Sequence, residues 1–149
     1  MYLVSSCLAG VNCRYDGKNS KNSVVVELVK SGKAIAVCPE QLAGLPTPRT
    51  SCEIIIDENG NKKVISKDEQ DFTEKFTEGA EKTLKIAKVI GIRKAILKSK
   101  SPSCGYGFIY DGTFSGKLIK GNGLAAELLI KNGVEVYTEN DLDDKRIFK

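Results

Sequence analysis

The chain has 149 residues, with 23 Lys and Arg against 19 Asp and Glu, a net charge of +4, 41% hydrophobic residues and no histidine. These totals fit a single globular domain spanning 1–149 and do not by themselves require a nucleic-acid partner. Without histidine, Ser-His-Asp triads, Cys-His nucleophile pairs and mixed Cys/His zinc sites are all excluded.

The opening Met1-Tyr2-Leu3-Val4 is too short and too uncharged to be a signal peptide, and no apolar run reaches the length of a membrane span. A cytoplasmic location is therefore expected. In that reducing compartment, five cysteines, an odd number, suggest metal binding or catalysis rather than a disulfide framework.

Tyr2-Leu3-Val4 reads as a short buried strand, followed by a loop from Cys7 to Cys13 and a turn at Asp16-Gly17. A short helix is predicted over 23–30, with Ser23 as its N-cap and Gly32 beyond its end. Ala34-Ile35-Ala36-Val37 is a second buried strand and runs into Cys38-Pro39-Glu40, where the proline stops the ladder. The two prolines of Gly44–Arg49 make an irregular loop. Residues 53–56 and 63–66 form a hairpin around Asn59-Gly60.

The longest helix should begin near Asp71, with Glu74 placed for a capping box, and end at Gly91. Phe72, Phe76, Ala80, Leu84 and Ala87 make its apolar stripe. A third strand, Ala95-Ile96-Leu97, feeds the stretch Lys98-Ser99-Lys100-Ser101-Pro102-Ser103-Cys104-Gly105. A short strand at 108–110, a helix at 122–131, a strand at 134–137 and a polar tail complete the chain. Strands alternating with helices indicate an α/β fold, a mainly parallel sheet flanked by helices, with a small β-hairpin.

Cys7, Cys38 and Cys104 each follow a predicted buried strand. In an open parallel sheet the ligand site lies outside the carboxyl ends of the strands, so the three thiols are expected at one edge. Three thiolates can hold three corners of a cubane iron–sulfur cluster and leave one iron open as a Lewis acid. Glu40 stands two residues after Cys38, as a general acid or base beside that iron or as an ion-pair partner of Arg14 or Arg49. Ser101 and Ser103 are candidates to orient substrate or relay a proton, or simply to cap the local backbone. Arg14 and Arg49 are candidate contacts to substrate, while Cys13 and Cys52 are expected to be buried thiols without a defined role. The residues alone leave open a non-catalytic zinc- or thiol-based binding module, or a sulfur carrier with Cys104 as its reactive thiol.

Three motifs in combination carry a family resemblance. They are Ser5-Ser6-Cys7-Leu8-Ala9-Gly10 with Arg14-Tyr15-Asp16-Gly17, then Cys38-Pro39-Glu40 through Arg49, and Lys98 through Gly105 followed by Tyr110-Asp111-Gly112-Thr113-Phe114-Ser115-Gly116-Lys117-Leu118. Over nearly the whole chain these resemble a compact bacterial domain family tied to thiouracil desulfidases. The resemblance implies a [4Fe-4S] cluster on Cys7, Cys38 and Cys104, easily lost in air, that captures the sulfur of a thiolated pyrimidine. The substrate implied is thiouracil or the 4-thiouridine of tRNA, with water replacing sulfur and no net redox change. Glu40 is the implied glutamate and Ser101 the implied serine, with Ser103 the alternative. Desulfidases of this kind often carry a further helical domain, which is not expected here. Cys13 and Cys52 are additional to the pattern, and either is a potential substitute ligand.

Overall fold

The computed structural model describes residues 1–148; the last residue of the polar tail, Lys149, lies outside the described residues. The central sheet has four parallel strands in the order β2-β1-β5-β8. These are β1 (Tyr2–Ser5), β2 (Ala34–Val37), β5 (Lys94–Leu97) and β8 (Glu135–Thr138). The central pair, β1 and β5, is buried on both faces, as their unbroken apolar runs require, whereas the edge strands β2 and β8 are partly exposed. Val4 stands opposite both Ala36 and Ile96 in the ladder.

One face of the sheet is covered by α3 (Thr73–Ile90) and α4 (Leu124–Lys131), through a cluster that includes Leu3, Ala87, Leu97, Leu129 and Val136. The other face carries α1 (Ser23–Lys30) and the C-terminal turn, through Val4, Leu8, Val25, Ile96 and Ile147. Two hairpins stand beyond the sheet: β3 (Cys52–Ile56) with β4 (Lys62–Ser66), and β6 (Phe108–Tyr110) with β7 (Leu118–Lys120). Ile54, Val64, Phe76 and Ile109 bind them to α3. A single turn of helix, α2 (Pro39–Leu42), follows β2.

The main strands and helices come in the expected order, with α2, a 3-10 turn at Ser6–Ala9 and β7 in addition where loops were expected, and the boundaries move for local reasons. Asn22, one residue before Ser23, caps α1 by accepting from the N–H groups of Val24 and Val25. The Asp71 carboxylate accepts from Thr73 N–H, but Phe72 occupies the N-cap position and makes no side-chain cap, so the expected capping box does not form. Thr73 instead accepts from Val64 N–H with its hydroxyl and ties α3 to β4. Helix α4 starts after Gly123 because the carbonyls of an upstream loop occupy its first N–H groups. Strand β7 is too short to show a period of its own and forms only by pairing with β6. The tail winds into two 3-10 turns, Glu139–Asp141 and Lys145–Phe148.

A cysteine-lined candidate active site

The strands β2, β1 and β5 are consecutive in the sheet, and each ends next to a cysteine: Val37 before Cys38, Ser5 two residues before Cys7, and Leu97 before the loop holding Cys104. Parallel pairing places all three exits at one edge. A cleft of about 510 Å³ opens there, and all five cysteines line it. None of them is in a disulfide.

Cys38 is extended and holds the N-cap position of α2, with Pro39 in the first turn, where its missing N–H costs nothing. Glu40 in that turn faces the cleft. The segment is pressed against α3 at Gly79, where a Cβ would stand 2.2 Å from the Pro39 carbonyl oxygen. Glu40 Oε2 pairs with Arg49 Nη2 at 2.9 Å, and both side chains are nearly buried. The same guanidinium donates to the Cys13 carbonyl at 3.0 Å and to Pro46 O and Thr47 Oγ1 at 3.2 Å. Arg49 N–H donates to Tyr15 O at 2.8 Å, so one residue joins three loops around the cleft.

The other carboxylate oxygen, Glu40 Oε1, accepts a short hydrogen bond from the fully buried Ser103 hydroxyl. Because the one hydroxyl proton of Ser103 is engaged in the bond to Glu40, the Ser101 hydroxyl, 3.1 Å away, is the donor to Ser103 Oγ. Ser101 Oγ also accepts from the N–H groups of Ser103 and Cys104. The result is a directed chain from Ser101, which lines the cleft, through Ser103 to Glu40. Ser103 Oγ lies 3.7 Å from Cys104 Sγ.

The loop that carries these groups is held from both sides. Its Pro102 and Ser103 carbonyls accept from the N–H groups of Leu124, Ala125 and Ala126, which caps α4 without a capping side chain. At the loop's start, the Glu139 carboxylate accepts from Ser99 N–H and Ser99 Oγ and pairs with Lys98 Nζ at 3.0 Å. Burial pushes the Glu139 carboxyl up, but the Lys98 ammonium and Ser99 N–H outweigh it and hold it below its ordinary value.

Cys104, Cys38 and Cys13 are held in their neutral form. Burial, then the Glu40 charge, pushes Cys104 up to about 12 despite a stabilising hydrogen bond from Ser5. Cys38 is raised by its hydrogen bond with Cys13, by burial and by Glu40. Cys13 lies beside both Cys38 and Cys7. Its bond with Cys38 lowers it, but Cys7 and burial win and bring it to about 11. Among the described residues no group of three His, Cys, Asp or Glu side chains forms a ready-made site for a single ion. The thiols border the cleft instead, in a donor set of soft ligands, without histidine, that suits an iron–sulfur cluster.

Of the residues singled out from sequence, Cys7, Cys38, Cys104, Glu40, Ser101, Arg14 and Arg49 line the cleft, and Ser103 lies behind its wall. Arg14 donates to Ser20 Oγ at 2.9 Å, pairs with Asp16 at 3.4 Å and stands 6.0 Å from the Tyr15 ring centroid. Cys13 is buried as expected; Cys52 is only half-buried, with its Sγ 3.8 Å from Thr50 O. Glu139 and Gly79 went unnoticed in the sequence, because what they support lies 40 positions away in each case, Ser99 for one and Pro39 for the other.

No helix among the described residues is long and apolar enough to cross a membrane. The family model for 2-thiouracil desulfurase matches residues 2–141. The chain is 48% identical to the uncharacterized protein YbbK of Bacillus subtilis (strain 168), over 97% of this chain and 99% of that protein. The solved structure of TudS, described as a [4Fe-4S]-dependent thiouracil desulfidase, superposes with a TM-score of 0.87 at 39% identity, covering 96% of this chain and 93% of that one. With its fold and nearly its whole length matched, the chain belongs to the 2-thiouracil desulfurase family.

Proposed function

We propose that this protein is a [4Fe-4S]-dependent desulfidase that converts a thiolated pyrimidine and water into the oxo-pyrimidine and hydrogen sulfide, with no net redox change. Cys7, Cys38 and Cys104 are the proposed ligands. The observation that carries this reading is the exit of three adjacent parallel strands into one cleft, each bringing a thiol, with the Ser101–Ser103–Glu40 chain beside them. Five free thiols also suit the reducing cytoplasm, where we place the enzyme.

A cluster held there supplies an open, thiophilic Lewis-acid iron for the thiocarbonyl sulfur. The chain's own groups handle the protons. Arg49 fixes Oε2 of Glu40, which leaves Oε1 as the working oxygen. Glu40 takes a proton from the water that attacks the thiocarbonyl carbon and returns it to the leaving sulfur. Ser101 connects the cleft to Ser103 and Glu40, so the proton can pass without Glu40 leaving Arg49. Arg14 is the cation offered to the ring's remaining carbonyl.

The test is sulfide release from 2-thiouracil, 4-thiouracil and thiolated tRNA by anaerobically prepared protein, matched to loss of the thiocarbonyl absorbance. Glu40→Gln should lower kcat by about 10²–10⁴-fold with cluster content unchanged. Undiminished turnover in Glu40→Gln, or no release from any of the three substrates, would contradict the proposal.

A further inference from the structure

The turn between β6 and β7 has no part in the proton handling, yet it is built against the cleft. Phe114 in this turn has φ 56°, the left-handed region that a bulky residue enters only under constraint. The constraint is Glu53 on β3, whose Oε1 accepts from Gly112 N–H at 3.0 Å and Phe114 N–H at 3.1 Å. Asp111 N–H donates to Lys117 O at 3.0 Å and closes the turn. Gly112 lies so close to β3 that a Cβ there would stand 2.7 Å from Ile55 Cγ1 and 3.0 Å from the Ile54 carbonyl.

Packing does not explain the strain. Among the described residues Phe114 belongs to none of the three apolar clusters, although it is half-buried. Its place is on the cleft wall, with Tyr15 and Tyr110. A strained aromatic outside the core, fixed by a carboxylate from another hairpin and facing a cleft, has the features of a ligand contact.

We propose that Phe114 is the stacking wall for the planar ring of the substrate and that Glu53 is the residue that positions it. This rests on the thiolated-pyrimidine reading and narrows it: the site selects a thiocarbonyl inside a flat heteroaromatic ring over an open-chain thiourea. An aromatic face recognises such a ring whatever its substituents, and the sulfur is left to the cysteines.

The cluster-loaded protein tests this by calorimetric titration with uracil, the desulfurated ring. Phe114→Leu, which keeps apolar bulk without a π face, should bind uracil roughly 5- to 100-fold more weakly. Glu53→Ala should weaken binding in the same direction, while Glu53→Gln, whose amide oxygen can still accept both N–H groups, should restore it. The chain has no tryptophan, so Phe114→Trp adds a single indole whose emission should be quenched by uracil. In turnover with 2-thiouracil, Phe114→Leu should raise KM. Uracil affinity is read without turnover. Absence of sulfide release by the wild type therefore counts against the desulfidase reading, whereas unchanged uracil affinity in Phe114→Leu, or unquenched indole emission, overturns the stacking role.

Discussion

Arg49 reaches the Cys13 carbonyl, the Pro46–Thr47 loop and Glu40 through one guanidinium, so its removal leaves several acceptors and a nearly buried carboxylate without partners. Breaking a pair of this kind by removing one partner costs about 3 kcal/mol, well above the median surface ion pair. Arg49→Met should therefore lower the melting temperature by about 6–12 °C in thermal unfolding. A change within about 2 °C would show that the pair is not supporting the loops. In the sequence, Glu40 was legible as an acid–base candidate or as an ion-pair partner of either Arg14 or Arg49, without a choice between the two. Which cation Glu40 chooses depends on how the two prolines turn the chain between them, and no periodicity reports that. The serines are similar: two hydroxyls two residues apart look equivalent in sequence, while in the fold one faces the cleft and the other is sealed behind it.

At the scale of elements, the cysteine loops are shaped by contacts from helices distant in sequence. Gly79 lies inside α3, where Ala would be preferred by about 1 kcal/mol on helix propensity alone. Against that gain stands a methyl group 2.2 Å from a backbone carbonyl, which no rotamer change can relieve. Gly79→Ala should thus destabilise the protein by about 1–3 kcal/mol and reduce its iron content, because the carbonyl belongs to the residue after Cys38. Higher stability in this variant would contradict the packing argument.

The Glu139 carboxyl, depressed by Lys98 and Ser99, binds protons more weakly folded than unfolded. Its contribution is present above the ordinary carboxyl value of 4.5 and is lost as pH falls below that. Glu139→Gln should lower stability at pH 7 by about 1–2 kcal/mol and lose less than the wild type between about pH 5 and pH 3 in denaturant titrations. The elements themselves were well legible, since buried parallel strands read as apolar runs and α3 carries a clear stripe. Their caps were less so: α4 is capped by carbonyls from the Ser101–Cys104 loop, which leaves no side-chain signature at its start.

For the molecule as a whole, the parallel order β2-β1-β5-β8 turns three separate motifs into one site. That convergence was legible because the cysteines sit at strand exits, and sheet topology then fixes which edge they share. The Phe114 wall was not, although its motif is plain in the sequence, because its meaning depends on a carboxylate from the other hairpin.

The most direct test of this account is iron and acid-labile sulfide per chain in anaerobically prepared wild type and in each Cys→Ser variant. The account predicts about four of each per chain, lost in Cys7→Ser, Cys38→Ser and Cys104→Ser and kept in Cys13→Ser and Cys52→Ser. Full cluster content in any of the first three, or no iron in the wild type after anaerobic reconstitution, would contradict it.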